Sequence, residues 1–380
     1  MSFVRSVCIA AAAAATAGVL SAPSAQAAPA APGDRPVAAI LQDLQTLYRR
    51  TEAASEAYNG TAEKLKEQRA ATKKARAELR KSRSALKAGR SEAGELARQQ
   101  YRGSTSGIPP SVQLLLSRDP QRAMEEGRLL KRAAGKQAVT VRKLTGGERR
   151  HALAAAKEQK ALAKQRKLAK KQKSQRDAVR SRLNEVESVL SSLSGDELAQ
   201  LRRLESQQMA SAQQSLVRSG RLGAARAPSE GGERALRYAI DQVGKPYVWG
   251  ADGPDSFDCS GLTQQAWLRA KEGSGDRAGG AFPRTSQEQW KQLDRVPLSR
   301  LRPGDLVIYF PGATHVALYA GDGKVVQAPR PGAKVKVSPI AANPILGAVR
   351  PDPGAASQKD YTPPRLPAGS SAGADTGNDT

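Results

Sequence analysis

A seven-residue repeat of apolar and small side chains runs from Val37 to Ala93, and it restricts this part of the chain to a long helix packed along one seam. The seam is weak in its middle. A helix with charged faces around such a seam forms a rod and needs a second helix to cover it. The repeat passes through Val37, Leu44, Thr51, Tyr58, Leu65, Thr72, Leu79, Leu86 and Ala93.

The second helix is predicted from about Gln121 to Leu193, where apolar residues near the end alternate at spacings of four and three. Between the two arms, the segment RGSTSGIPPSVQLLLSRDP breaks the pattern and predicts the tip of a hairpin. Ser194 and Glu197 have the spacing of a capping box, which predicts that a helix restarts there and runs to about Val217. Residues 35–218 are therefore predicted to be an all-α coiled-coil hairpin.

The large aromatic residues predict where the globular part lies. All three tryptophans and three of the four phenylalanines lie between Trp249 and Phe310, so a compact core must be there. Residues 219–232 have the composition of a flexible linker, and residues 352–380 that of a disordered tail. We therefore predict one globular domain over residues 233–351.

Basic residues are concentrated in the hairpin. The chain has 61 Lys and Arg against 36 Asp and Glu, and residues 131–180 alone hold 17 basic and 3 acidic side chains. Such a run is typical either of a solvated helix face or of a stripe that binds anionic cell-envelope polymers. Nucleic acid is the usual first hypothesis for so basic a chain, but the N-terminus argues against it.

Residues 1–28 have the features of a secretory signal peptide. Arg5 precedes an apolar run from Val7 to Leu20, and SAQAA then offers a cleavage site after Ala27. A membrane anchor is the weaker alternative, because the run is short and is followed by small residues and prolines. We expect a secreted, cell-wall-associated protein that has lost Cys8 with the signal peptide.

Cys259 would then be the only cysteine of a secreted chain, which indicates either an intermolecular disulfide or a reactive thiol. Apolar residues after it predict a helix that starts at Cys259, with Asp258 as its N-cap. The positive end of a helix lowers the pKa of a cysteine and favours the thiolate. A buried apolar cysteine without chemistry is the alternative.

His315 is the candidate base for this thiol, because the other histidine, His151, lies in the hairpin without a nearby Cys, Asp or second His. His315 opens HVALYAG, a predicted strand, and Gln327 in the next strand is the best candidate to orient the imidazole. Alone, such a histidine is usually a turn residue. Paired with the lone cysteine it indicates a thiol hydrolase. One Cys and one His are too few ligands for a metal, and no cofactor is expected.

The domain resembles the NlpC family of bacterial cell-wall peptidases in five blocks: GKPYVWGADGPDSFDCSGL, PRTSQEQW, LRPGDLVIYF, HVALYAGDGKVVQAP and GAVR. The resemblance implies a papain-like α+β fold and cleavage of peptidoglycan stem peptides, typically between D-γ-glutamate and a diamino acid. It implies that Cys259 is the nucleophile, His315 the base and Gln327 the orienting residue. Further positions are implied to line or lie near the substrate groove, where the amine of the stem peptide is recognised: Tyr247, Asp258, Ser260, Arg284 and Ser286. A structural role for Arg284 and Ser286 stays open.

Two positions depart from the family pattern. Gln327 stands where many members have histidine, so it accepts the imidazole N–H without adding charge. Ala251 replaces a glycine, which should only stiffen the loop. The hairpin resembles those of actinobacterial cell-wall hydrolases, which implies that it masks the groove or docks on a membrane complex at division sites.

The sequence thus predicts a secreted peptidoglycan D,L-endopeptidase, with a papain-like α+β domain after an all-α coiled-coil hairpin. The alternative is a non-catalytic protein that binds the cell wall or acts as a scaffold, in which the hairpin carries the function.

Overall fold

The structure is a computed structural model. It describes residues 35–103, 112, 120–272, 282–367 and 370 of the 380-residue chain. The predicted signal peptide, most of the predicted hairpin tip and the end of the predicted tail lie outside these residues.

Three helices form the N-terminal part: α1 (Val37–Gly103), α2 (Pro120–Ser191) and α3 (Gly195–Arg218). Helices α1 and α2 pack side by side along most of their length. The predicted repeat supplies buried seam positions on α1, among them Leu44, Leu65 and Leu86. This arrangement confirms the helical hairpin.

Helix α3 joins the hairpin to the rest of the protein. The predicted capping box is confirmed, since the Ser194 hydroxyl accepts from the Glu197 N–H and the Glu197 carboxylate accepts from the Ser194 N–H. Near its start, Leu201 packs against Ile40 and Leu44 of α1. Near its end, Leu216 packs into an apolar cluster on one face of the sheet. Helix α3 is therefore held by apolar contacts at both ends.

The C-terminal domain is built on a six-stranded sheet in which neighbouring strands run antiparallel in the order β1-β6-β2-β3-β4-β5. Helices α4 (Glu230–Asp241) and α5 (Cys259–Glu272) cover the face opposite Leu216, and α6 (Ser286–Gln292) lies beside them. The predicted α+β class is confirmed. The strands are β1 (Asp294–Val296), β2 (Leu306–Tyr309), β3 (His315–Gly321), β4 (Lys324–Gln327), β5 (Lys336–Pro339) and β6 (Ile345–Arg350).

The first part of the predicted tail, residues 352–367, lies against this domain. The buried Arg302 guanidinium donates to the Asp352 carboxylate at 2.8 Å and to the Ala355 carbonyl at 2.8 Å. Leu366 packs on the apolar core. The composition of this segment gave no indication of these contacts.

None of the helices within the described residues is long and apolar enough to cross a membrane.

Candidate active site

Cys259 occupies the first turn of α5, and its position is fixed by tight packing around that turn. The Asp258 carboxylate accepts from the Gly261 N–H at 2.6 Å, which confirms the predicted N-cap. A Cβ atom on Gly261 would lie 2.2 Å from the Ala251 carbonyl oxygen, so only glycine allows the preceding loop to approach so closely. The loop and the helix start therefore hold the sulfur in one place.

His315 and Gln327 lie on adjacent strands and project from the same face of the sheet. Strands β3 and β4 pair with Leu318 opposite Val326. Because side chains alternate between the two faces of a sheet, residues 315 and 327 lie on the same face. The Nε2 atom of His315 lies 2.7 Å from the Gln327 amide oxygen. An amide oxygen only accepts hydrogen bonds, so Nε2 carries a hydrogen and Nδ1 is the proton acceptor of the neutral ring.

The packing of α5 on β3 brings the cysteine to this pair. The backbone N–H of Val316, the residue after His315, donates a hydrogen bond to the Cys259 sulfur. Both side chains are buried, with 2% of Cys259 and none of His315 exposed. Cys259 at the start of α5 thus lies beside the first residues of β3, the strand that begins with His315.

Asp258 and Arg284 form a buried ion pair beside the cysteine. The guanidinium donates to both carboxylate oxygens, at 3.0 and 2.9 Å, and also to the Ser260 hydroxyl at 2.9 Å. Arg284 therefore positions two of the expected groove residues, Asp258 and Ser260. Its direct contacts favour the structural role that the sequence had left open.

Ser286 and Tyr247 complete the expected set. Ser286 begins α6 and is fully buried, with its hydroxyl 2.7 Å from the Ala313 carbonyl oxygen. Tyr247 is 7% exposed, and burial raises its pKa, with further increases from the charges of Cys259, Asp258 and the two glutamates Glu52 and Glu56. All eight residues expected from the sequence therefore lie in one region of the domain.

Helix α1 supplies three side chains to the same region that the sequence did not indicate. The Glu56 carboxylate accepts from the Ser260 hydroxyl at 2.7 Å and from the Ser286 N–H at 2.6 Å. The Asn59 amide donates to Asp258 at 2.9 Å. Glu52 Oε1 lies 3.3 Å from His315 Nδ1, close enough for an ion pair, although the two atoms are not aligned for a hydrogen bond.

The surroundings of Cys259 oppose ionisation of its thiol. This corrects the expectation that its position at a helix start would lower its pKa and favour the thiolate. Burial raises the pKa of the thiol well above its usual value, and the charges of Glu56, Asp258 and Glu52 raise it further. The hydrogen bond from Val316 acts in the opposite direction but is outweighed. The helix N-terminus is a weaker influence than burial beside three acidic groups, so the thiol is neutral in this arrangement.

The pKa of His315 is affected by the same helix. Burial lowers it, but the charge of Glu52, together with the contacts to Glu52 and Gln327 and the charge of Glu56, raises it by more. The imidazole is thus held toward its protonated form while the thiol is held neutral. This is the reverse of what a base that deprotonates the thiol requires.

No group of three or more His, Cys, Asp or Glu side chains within the described ranges is arranged to hold a metal ion.

A cysteine at a helix start, packed beside an antiparallel strand that begins with a histidine, is the arrangement of the papain-like α+β class. Residues 244–347 match the family model described as the NlpC/P60 family. The match covers this C-terminal domain and not the helical hairpin before it.

Related proteins share this domain. One from Corynebacterium glutamicum, named "Probable endopeptidase", is 43% identical over 97 residues, which are 26% of this chain and 43% of that protein. Another with that name, from Mycobacterium tuberculosis, is 38% identical over 123 residues, which are 32% of this chain and 30% of that protein. Among solved structures, NlpC2 from Trichomonas vaginalis is 28% identical and has a TM-score of 0.29 over 32% of this chain and 48% of that chain. The chain thus spans less than half the length of each of these proteins.

Proposed function

We propose that the protein is a secreted cysteine endopeptidase that cleaves peptidoglycan stem peptides, between D-γ-glutamate and the diamino acid. The observation that carries this proposal is the placement of Cys259, at the start of α5, beside the strand that holds His315 against Gln327, in a domain that matches the NlpC/P60 family. The relatives named as probable endopeptidases support the reaction class.

The mechanism follows from the positions of these groups. His315 Nδ1 takes the thiol proton, and the Cys259 sulfur attacks the amide carbon, with backbone N–H groups at the start of α5 stabilising the oxyanion. The imidazolium then protonates the leaving amine, which breaks the C–N bond and leaves a thioester. His315 next removes a proton from water, the resulting hydroxide attacks the thioester carbon, and the acid product leaves with the thiol restored.

The polar groups of the groove fit the proposed substrate. The Ser260 hydroxyl and the Ser286 N–H bind a carboxyl group in this structure, that of Glu56. A γ-linked glutamate has a free α-carboxyl group that could accept the same hydrogen bonds. Asp258 binds an N–H donor, the Asn59 amide, and would suit the amine of a stem peptide. Together these groups favour a γ-glutamyl peptide.

Secretion and the partners of the hairpin are parts of this proposal that rest on the sequence. Residues 1–28 support export to the cell wall. The basic residues of α2, such as Lys164 and Lys170, are exposed or half-buried and would attract anionic cell-wall polymers. A division-site membrane complex is the other proposed partner of the hairpin.

Defined muropeptides test the reaction. We expect the full chain to release a fragment that begins with the diamino acid, detected by mass spectrometry. Cleavage at another bond would contradict the proposed specificity. If neither the wild-type chain nor its Glu56→Ala variant releases any fragment, the protein is instead a binding or scaffolding protein.

A further inference from the structure

A cavity of about 680 Å³ lies between α3, the first part of α1 and the C-terminal domain. One face of α3 forms a wall of it, through residues spaced by three and four positions, such as Glu205, Met209 and Ala212. Strand β5 and the segment before β6 form another wall. A volume between about 300 and 1,000 Å³ is typical of sites that bind small molecules. The cavity is therefore large enough for a short peptide.

One end of the cavity lies at His315. Two residues that contact its imidazole, Gln327 at Nε2 and Glu52 at Nδ1, line the cavity. Lys336 of β5 also lines it and pairs with Gln327 across the sheet, so the two side chains lie on the same face. In the proposed mechanism the imidazolium protonates the leaving amine, so the leaving fragment begins beside this ring. The cavity lies where that fragment would extend.

Basic side chains outnumber acidic ones around the cavity by five to two. Arg330 is fixed in the wall, because its guanidinium donates to both carboxyl oxygens of Glu205, at 2.5 and 3.0 Å, and lies 4.5 Å from the centre of the Tyr48 ring. The five basic residues are Arg49, Arg202, Arg221, Arg330 and Lys336. Their excess gives the cavity a positive potential, which attracts carboxylates.

Glu52 gives the His315 end of the cavity the opposite preference. Its side chain is 6% exposed, and its Oε2 atom has no hydrogen-bond partner within the described residues. A buried carboxylate oxygen without a donor is costly, and an N–H group of a ligand would satisfy it. The cavity is thus complementary to a molecule with an ammonium group near His315 and carboxylates further away.

Apolar side chains complete the lining. Met209 of α3, Phe310 after β2 and Ile345 of β6 are half-buried there. They would pack against a hydrocarbon chain such as that of a diamino acid. A cavity with apolar walls and a few charged groups is typical of a site for a small polar ligand.

We propose that this cavity binds the fragment that leaves during cleavage, a short peptide with a new ammonium group and at least two carboxylates, and that α3 is therefore part of the substrate site. The proposal rests on the peptidase function proposed above and extends it to the leaving side of the cleaved bond. The new ammonium group lies beside Glu52, and the carboxylates bind the basic residues.

The fragment does not need the groups that Glu56 contacts. Ser260 and Ser286, which bind Glu56, are not among the residues that line the cavity. A free fragment therefore binds while Glu56 is in place. Binding can be measured without any cleavage.

Calorimetry on the full chain with Cys259→Ala, which cannot form the thioester, tests the site. The probe is a dipeptide of diaminopimelate and alanine, which has two carboxylates. We expect Ala212→Trp to weaken its binding at least about tenfold, because the large side chain fills the cavity. Ala210→Trp makes the same change at an exposed position of α3 outside the cavity and is expected to leave the affinity unchanged.

A second pair of variants tests the charge of the cavity. Lys336→Gln removes a half-buried ammonium group from the wall and is expected to weaken binding by about tenfold, the usual effect of losing a charge-assisted hydrogen bond. Lys334→Gln changes an exposed lysine on the same segment, outside the cavity, and should have no effect. Glu52→Gln is expected to weaken binding of the dipeptide but not of its form acetylated on the α-amine.

The outcomes separate this site from the peptidase function. Equal affinities of the Ala212→Trp and Ala210→Trp chains and of the two lysine variants would overturn the proposal, even if the wild-type chain cleaves muropeptides. A lack of measurable binding by any chain would overturn it as well. Binding that Ala212→Trp and Lys336→Gln weaken, in a protein that releases no muropeptide fragment, would support the peptide site and reject the peptidase function.

Discussion

Replacing Cys259 with alanine is expected to reduce peptide cleavage by about a thousandfold or more, because the C-terminal domain has no other thiol to form the thioester. The loss should appear in the full chain and also in the Glu56→Ala chain, which lacks the carboxylate that contacts Ser260 and Ser286. Mass spectrometry of muropeptide digests measures both. Cleavage by the Cys259→Ala variant at the wild-type rate would rule out the proposed nucleophile.

Two controls separate the loss of chemistry from a loss of structure. Cys8→Ala removes the other cysteine and is expected to leave activity unchanged. Binding of the Cys259→Ala variant to insoluble peptidoglycan should match that of the wild type, since the polar groups of the groove remain. An inactive variant that also fails to bind would indicate damage to the fold.

Replacing Arg284 with methionine is expected to lower the free energy of unfolding of the catalytic domain by about 3–5 kcal/mol, the usual cost of breaking a buried ion pair. Asp258 is fully buried, and Arg284 binds both of its oxygens. Without the guanidinium the carboxylate would lose the one partner of opposite charge that the described residues supply. Urea unfolding followed by tryptophan fluorescence measures the effect in this domain, because all three tryptophans lie within it.

An exposed ion pair in the same domain provides a matched control. Arg269 lies 3.0 Å from Glu272, and both side chains are more than half exposed. Arg269→Met should therefore change the stability by less than about 1 kcal/mol. Asp258→Asn combined with Arg284→Met should recover part of the loss, since no buried charge is then left unpaired. A loss of less than about 1 kcal/mol in Arg284→Met would show that the pair contributes little.

Much of the fold could be predicted because it depends on short-range patterns. The seven-residue repeat predicts the buried seam of α1, and the Ser194–Glu197 spacing predicts the start of α3. Both depend on residues within a turn or two of each other. The position of Cys259 at a helix start was equally local, since Asp258 is its direct neighbour.

The role of α1 in the groove was not predicted, because the partners lie far apart in sequence. Glu56 contacts Ser260 across 204 positions, and Asn59 contacts Asp258 across 199. A glutamate on a basic, solvated helix has no local feature that indicates such a partner. The one signal was the weak middle of the seam, at Thr51 and Tyr58, where α1 faces the catalytic domain as well as α2.

The sequence by itself determined which residues are the candidates for the chemistry, because the scarcity of cysteine and histidine left one of each in the domain. Only the tertiary structure decided how the pKa values of those residues are shifted. The helix N-terminus favours a thiolate at Cys259, but burial and the charges of Glu56, Asp258 and Glu52 raise its pKa instead. Two of these charges come from α1, and electrostatic effects of this kind depend on distance in space rather than on position in the chain.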